Sequence, residues 1–367
     1  MSEFQLPTSN LQPQSVVPKR ILVIRLDRIG DVVLSTPVLQ ALRTAYPHAY
    51  IAMMVRPTCR ELLEGNPFLN EIIIYEKEGR HHSVIRTIQF ARGLRRYEFD
   101  TALILHPSNR SHWIPFLAGI PIRIGYNRKC GWLLTHRVPH HKQEGSQHEA
   151  TYTLELLRGV GITPGIPQPL IGIQHEAAQR VEGLLSAASI RPTDRLVAIH
   201  PSASCVSKRW MPDRFAQVGD RLVAEHGVRL CLVAGEADVE TARRVAQLMH
   251  QSVLNLAGRL SLGELAALFK RCRLLISNDS GPVHVAAAVG TPVIDIFGRN
   301  QRGLSPQRWG PLGEGHIILH KEVGCVTCLA HNCDIEFLCL TSLSVDDVYR
   351  AAVSILQRID TDVHHAS

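Results

Sequence analysis

Along the chain, short runs of apolar and β-branched residues alternate with stretches whose apolar positions recur every three or four residues. The first run, Ile21-Leu22-Val23-Ile24-Arg25-Leu26, has the character of a buried strand. It passes through Asp27-Arg28-Ile29-Gly30-Asp31 into residues 32–46, which carry helical periodicity. Further strands are expected at residues 51–55, 71–75 and 101–105, separated by amphipathic stretches such as residues 83–96. Strand, loop and helix in that repeating order predict a parallel sheet covered by helices.

An interruption follows. Beyond His140 the sequence turns polar and rich in Gly and Pro, with one helical stretch at residues 151–160 and then Gly161-Ile162-Thr163-Pro164-Gly165-Ile166-Pro167-Gln168-Pro169. That composition sets a domain boundary near Ile173. A helix at residues 176–188 opens a second alternating series, with strands expected near 196–200, 229–234, 274–277 and 293–297 and a closing helix at 345–358. The fold class is therefore α/β, with two doubly wound domains facing a central cleft. The division reads as a flexible leader at 1–18, a first domain at 19–173, a second at 174–343, and a C-terminal helix and tail at 344–367. In doubly wound sheets ligands sit beyond the carboxyl ends of the strands, so the loops after those strands are where chemistry belongs.

Length and composition agree with this division. At 367 residues the chain exceeds the size at which single cores stop growing, and 45% hydrophobic with 20% charged residues is ordinary globular usage. No run of about twenty apolar residues is present to cross a bilayer, so any membrane contact is expected to be peripheral. Residues 1–18 lack the continuous apolar core of a secretory signal, which predicts a cytoplasmic protein. The whole net charge of +7 falls within residues 1–174, while the remainder is balanced. A basic first domain suits an anionic partner such as phosphorylated lipid, nucleic acid or a membrane surface. Nine cysteines without a secretory signal argue against a disulfide framework.

Five constellations carry candidate chemistry. Gly30-Asp31 joins the first strand to its helix; Gly30 permits a tight turn, and Asp31 either caps the exposed amides or projects into the cleft as a general base. The helix dipole is expected to lower the pKa of such an Asp. The loop from Pro201 to Trp210 offers Ser202 and Ser204 as donors and Lys208 as a point charge for phosphate, with a solvated surface loop as the alternative. Gly235-Glu236 follows an apolar strand, where an acidic side chain accepts from ribose hydroxyls or merely complements a helix dipole. The stretch Ser277-Asn278-Asp279-Ser280-Gly281-Pro282-Val283-His284 leads into a small-residue helix whose N-terminus suits a diphosphate. There Asp279 is expected to hold sugar hydroxyls or orient the loop, and His284 to reach the ligand or serve structure. Last, Cys325, Cys328, Cys333 and Cys339 crowd together with His331 between them. Four such thiols hold a structural zinc, stay reduced or form a redox-labile pair, outside the catalytic step in each case.

Taken together, residues 21–37 (ILVIRLDRIGDVVLSTP), 200–210, Gly235-Glu236, residues 256–265 (LAGRLSLGEL) and 277–292 (SNDSGPVHVAAAVGTP) resemble glycosyltransferase family nine, the ADP-heptose:lipopolysaccharide heptosyltransferases. The resemblance runs from about residue 20 to 357, and the Cys-rich segment with Leu340 is similar to heptosyltransferase II-like members. It implies a GT-B fold of two Rossmann-like domains, the acceptor on the first and ADP-heptose on the second. It further implies an inverting reaction with no metal and no cofactor. On the matching positions, Asp31 is the general base, Lys208 binds phosphate, Glu236 binds ribose, and Asp279, Ser280, Gly281 and His284 surround the donor diphosphate and sugar. Leu260 stands where a family member places Met against adenine. The implied partners are ADP-heptose, a phosphorylated lipid A-core acceptor and the cytoplasmic face of the inner membrane, with no nucleic acid. Competing readings are transfer of another nucleotide sugar in surface glycan synthesis, a nucleotide-sugar 2-epimerase on the same fold, and a two-lobed binding protein without chemistry.

Overall fold

The computed structural model describes residues 17–325, 327–328 and 331–366. The leader expected at 1–18 therefore lies outside the described residues except for Val17 and Pro18. Two six-stranded sheets, parallel at every pairing, form the frame. The first holds β1 (Arg20–Ile24), β2 (Tyr50–Val55), β3 (Glu71–Ile74), β4 (Thr101–Ile104), β5 (Ile122–Tyr126) and β6 (His136–Val138) in the order β3-β2-β1-β4-β5-β6. The second holds β7 (Leu196–His200), β8 (Arg229–Leu232), β9 (Leu254–Asn255), β10 (Leu274–Asn278), β11 (Val293–Ile296) and β12 (Ile317–Leu319) in the order β12-β11-β10-β7-β8-β9. Read from its own first strand, each sheet has the doubly wound order 3-2-1-4-5-6, whose switch point lies between β1 and β4 in one lobe and between β7 and β10 in the other.

Helices cover both sheets. In the first lobe these are α1 (Ile29–Val33), α2 (Thr36–Ala45), α3 (Val84–Gly93), α4 (Asn109–Leu117) and α5 (Glu149–Glu155). The second carries α6 (His175–Ala187), α7 (Pro212–His226), α8 (Val239–Leu248), α9 (Leu262–Arg271), α10 (Gly281–Ala288), α11 (Pro306–Trp309), α12 (Leu338–Thr341) and α13 (Val345–Ala366). Strands buried on both faces explain the unbroken apolar runs of the sequence. In β1, Ile21 and Val23 pack with Val38, Leu39 and Leu42 on one side, while Leu22 and Ile24 pack with Ala91 and Ile114 on the other. Each such side chain contributes roughly 1.5–3 kcal/mol by burial. The closing helix packs against the second sheet, where Val348, Ala352, Ile355 and Leu356 join Trp210 and Phe215 in one core.

The helix expected over residues 32–46 is two helices with a break at Leu34 and Ser35. Pro37 cannot donate a backbone bond and so begins a helix better than it continues one. The hydroxyls at the break satisfy the freed carbonyls: Ser35 Oγ donates to Asp31 O at 2.7 Å and Thr36 Oγ1 to Val33 O at 2.8 Å. Thr36 Oγ1 also accepts from Leu170 N at 2.9 Å, tying the extended segment that leads to the second lobe onto the first.

Candidate functional site

Both switch points open onto a cleft of about 570 Å³ between the lobes. Its floor is where α1 and α10 meet almost N-terminus to N-terminus. A Cβ at Gly30 would fall 2.6 Å from Cδ2 of His284, and one at Gly281 would fall 3.4 Å from the backbone nitrogen of Gly30. Gly30 is thus required for close approach between lobes rather than for the tight turn expected of it; its φ is not in the left-handed region, and α1 is capped by Arg28 in extended backbone.

On the first-lobe side the chemistry centres on Arg25, a guanidinium buried at the end of β1. It donates from Nε to Asp27 Oδ1 at 2.7 Å and from Nη2 to Asp31 Oδ1 at 2.5 Å, and it lies 3.3 Å from Glu149 Oε1. Glu149, the first residue of α5, also receives Lys142 Nζ at 2.6 Å on Oε1 and Arg308 Nη2 at 2.8 Å on Oε2. Asp27 Oδ2 stands 3.0 Å from His106 Nδ1. The carboxylates here are driven apart. Burial opposes ionisation of Glu149, yet Lys142, Arg25 and Arg308 hold it far below the usual carboxylate range. Asp27 is likewise held low, burial being outweighed by Arg25 and His106. Burial pushes Asp31 up to about 6, with Asp27 and Glu149 adding to the rise and Arg25 opposing it. Asp31 therefore neither caps α1, whose N-cap is Arg28, nor sits low as the helix dipole would have it: burial raises it in spite of Arg25. A carboxylate poised near neutrality beside two held permanently ionised is the arrangement of a general base.

A second cavity of about 460 Å³ opens on the first-lobe side of Asp31, lined by cations that include Arg28, Arg128, Lys129 and Lys142, together with His106. Asp31, Asp27, Arg28 and Trp309 line both cavities. Asp31 consequently stands where the two spaces meet.

Facing it from the second lobe are the loops after β7 and β10. Ser202, Ser204, Lys208, Asp279, Ser280, Gly281 and His284 all line the cleft, as do Gly30 and Asp31. Lys208 Nζ pairs with Asp279 Oδ2 at 2.5 Å, so the carboxylate expected to hold a sugar or orient the loop carries the ammonium to the mouth of α10. Burial raises Asp279 in spite of Lys208. His200 Nδ1 stands 3.2 Å from the hydroxyls of both Ser277 and Ser280; burial lowers His200 to about 4 and His284 to about 3, leaving both rings neutral. Ser202 Oγ and His284 Nδ1 are buried without a hydrogen-bond partner among the described residues, an expensive state unless a ligand completes it. Glu236 and Leu260 are not among the lining residues: Glu236 is exposed beside Gly235, which does line the cleft, and Leu260 packs against the core beneath α9.

The four crowded cysteines lie elsewhere. All are free thiols and line a cavity with His320 on the far side of Gly298 and Arg299. Burial, with the other three thiols adding to it, pushes Cys339 up to about 11. Among the described residues no three His, Cys, Asp or Glu side chains stand where they could share a metal ion.

Sequence reasoning did not single out Arg25, Glu149, Lys142, His106 or Arg308 as functional. One signal was present: an Arg within the apolar run of residues 21–26, directly after a buried strand, must carry its counterions with it. Nothing local marks Glu149 or Arg308, which come together across 159 positions of chain.

Residues 87–338 match the family described as glycosyltransferase family 9 (heptosyltransferase). Lipopolysaccharide heptosyltransferase 2 of Salmonella typhimurium is 29% identical over 299 residues, covering 78% of this chain and 85% of that protein. Among solved structures, the glycosyl transferase family 9 protein of Veillonella parvula superposes with a TM-score of 0.83 at 28% identity, over 95% of this chain and all of that one. The ADP-heptose lps heptosyltransferase II of E. coli shares the fold, with a TM-score of 0.77 at 24% identity over 93% and 99% of the two chains.

Proposed function

Because this chain belongs to glycosyltransferase family 9 and is a glycosyltransferase, we propose that it moves a heptose from ADP-L-glycero-β-D-manno-heptose onto the inner core of lipopolysaccharide, with inversion and without a catalytic metal. The observation that carries the proposal is Asp31, a buried carboxyl pushed up to about 6 that lines both the cleft at the start of α10 and a cavity in which cations outnumber carboxylates. An acceptor hydroxyl in the cationic cavity attacks the anomeric carbon from the face opposite the diphosphate. Its proton passes to Asp31, the bond from that carbon to the diphosphate oxygen breaks, and ADP leaves. Lys208 and the amides at the start of α10 take up the charge that develops on the departing phosphate. Asp279 keeps the ammonium in place until the diphosphate competes for it.

On this reading residues 19–173 hold the acceptor, residues 174–343 hold the donor, and the closing helix α13 braces the second lobe through Val348, Ala352, Ile355 and Leu356. Ser202, Ser204, Ser280, Gly281 and His284 contact the donor, with Glu236 and Leu260 reaching it as the cleft closes on nucleotide. The acceptor is a phosphorylated lipid A-core, met at the cytoplasmic face of the inner membrane; no described helix is long and apolar enough to cross a membrane.

Purified protein incubated with ADP-heptose and a heptose-deficient core, in the presence of EDTA, tests the proposal through ADP release and acceptor mass. Release of ADP with gain of one heptose is expected. Transfer that stops in EDTA would remove the metal-free mechanism, and an isomerised sugar nucleotide formed without acceptor would turn the reading towards an epimerase.

A further inference from the structure

The positive charge is concentrated more narrowly than the division into halves suggests: residues 80–142 contain 11 Lys and Arg against two Asp and Glu. These residues form α3, β4, α4, β5, β6 and the loops between them. Within the same stretch apolar side chains stand out into solvent, with Val84 75%, Ile85 69%, Trp132 60% and Phe116 42% exposed. None of the four belongs to the cores around the first sheet.

They are neighbours. Arg110, on the first turn of α4, donates to His82 O at 2.6 Å and so fastens that turn to the segment just before α3. One turn along α4, the Trp113 ring meets Trp132 edge-on at 5.7 Å and Phe116 at 5.8 Å. The Arg123 guanidinium lies 5.5 Å over the Phe116 ring, and Arg137 donates to Trp132 O at 3.2 Å. Indoles and aliphatics interleaved with arginines are unstable company in plain water and are suited to the headgroup layer of a bilayer, where rings sit among glycerol esters and guanidinium groups on lipid phosphates. The patch also adjoins the cationic cavity: Arg128 and Lys129 line it, and Trp132 follows three residues later. A lipid-borne acceptor could thus reach Asp31 with its acyl chains still in the membrane, a consequence that rests on the transfer proposed above.

We propose that this face of the first lobe, centred on Trp132 and the first turn of α3, docks onto an anionic lipid bilayer. Charge complementarity selects that occupant: Arg110, Arg123, Arg128, Lys129 and Arg137 stand among the apolar groups, while Glu76 and Glu78 at the edge are paired with Arg80 and Arg56, and this excess of positive charge disfavours a second copy of the same face.

The test uses the full chain with vesicles of phosphatidylethanolamine and phosphatidylglycerol, and phosphatidylcholine vesicles for comparison. Co-sedimentation with the anionic vesicles is expected, weakening as salt shortens the reach of the field. Replacing Val84, Ile85 and Trp132 together by Ser should weaken binding about tenfold or more. Transfer to a deacylated, water-soluble core should be unchanged in that variant, whereas transfer to acceptor embedded in vesicles falls. Trp132→Ser alone carries the test if the triple variant does not fold. Equal binding to phosphatidylcholine, unaltered binding of the variants, displacement of vesicles by equimolar RNA, or dimerisation through this face would each overturn the proposal. Vesicle binding is read without turnover, so a failed transfer assay leaves this result standing by itself.

Discussion

Asp31 serves two masters, ionic contact with Arg25 and burial beside Asp27 and Glu149, and burial wins. Its folded-state pKa lies above the unfolded value, so ionising it costs stability. That cost is absent below about pH 4, where the carboxyl is neutral in both states, and grows as pH rises through about 6. Asp31→Asn should therefore lower turnover by about 10²–10⁴-fold while raising the melting temperature at pH 7.5 by roughly 2–4 °C, equivalent to about 1 kcal/mol. The thermal advantage should disappear by about pH 4. In the unaltered protein kcat/KM should fall on the acid side with a midpoint near 6. Activity retained in the variant would remove Asp31 as the base; a variant less stable than its parent at pH 7.5 would show that Arg25 contributes more to the Asp31 site than burial takes away.

The crossing of α1 and α10 sets how closely the two halves of the site approach, and Gly30 is its limiting contact. Because a Cβ there would meet the His284 ring at 2.6 Å, Gly30→Ala must push the helices apart. A loss of about 1–3 kcal/mol in urea unfolding is expected, with donor affinity falling alongside. The double variant Gly30→Ala, His284→Ala should recover most of the stability and little of the activity; if it recovers none, the strain lies in the backbone rather than at His284. Elements of this kind were legible in the sequence to different degrees. Strands such as β1, β7, β10 and β11 announce themselves because both faces are buried and three or four consecutive positions are apolar, interrupted only by Asp295 in β11. β9 has two residues and β6 and β12 have three, too few to show a period, and they exist because a neighbouring edge supplies their partners. The loops after β7 and β10 were legible because a Gly or hydroxyl cluster at a strand end is a local pattern. The break after Val33 was not read, although Pro37 marked it, since the apolar spacing continues through it.

Across the whole molecule, the lobes communicate through charges that no local pattern reveals. Glu149 in the first lobe bonds Arg308 in the second, and beside that contact His148 Nε2 meets Gly310 O at 2.9 Å and Gln307 Nε2 donates to Ser146 O at 3.1 Å. The same Glu149 lies against Arg25, which holds Asp31. Lobe contact and the basicity of Asp31 are thereby joined through one carboxylate. Removing Glu149 itself would strand Lys142 and Arg25 in the interior at a cost of about 3–5 kcal/mol, so Arg308, nearer the surface, is the informative position. Arg308→Gln leaves the charge of Glu149 less compensated; its field at Asp31 becomes more negative and the Asp31 carboxyl rises further. The acid limb of the kcat profile should then move up by about half a pH unit, while Arg308→Lys, which keeps the charge and loses the fork, should return it most of the way. A lower kcat with an unmoved limb would mean that Arg308 only braces the closed lobes. Because Asp31→Asn tests the base independently, an inactive Asp31→Asn beside an unmoved Arg308→Gln limb would discard the coupling and keep the catalytic assignment.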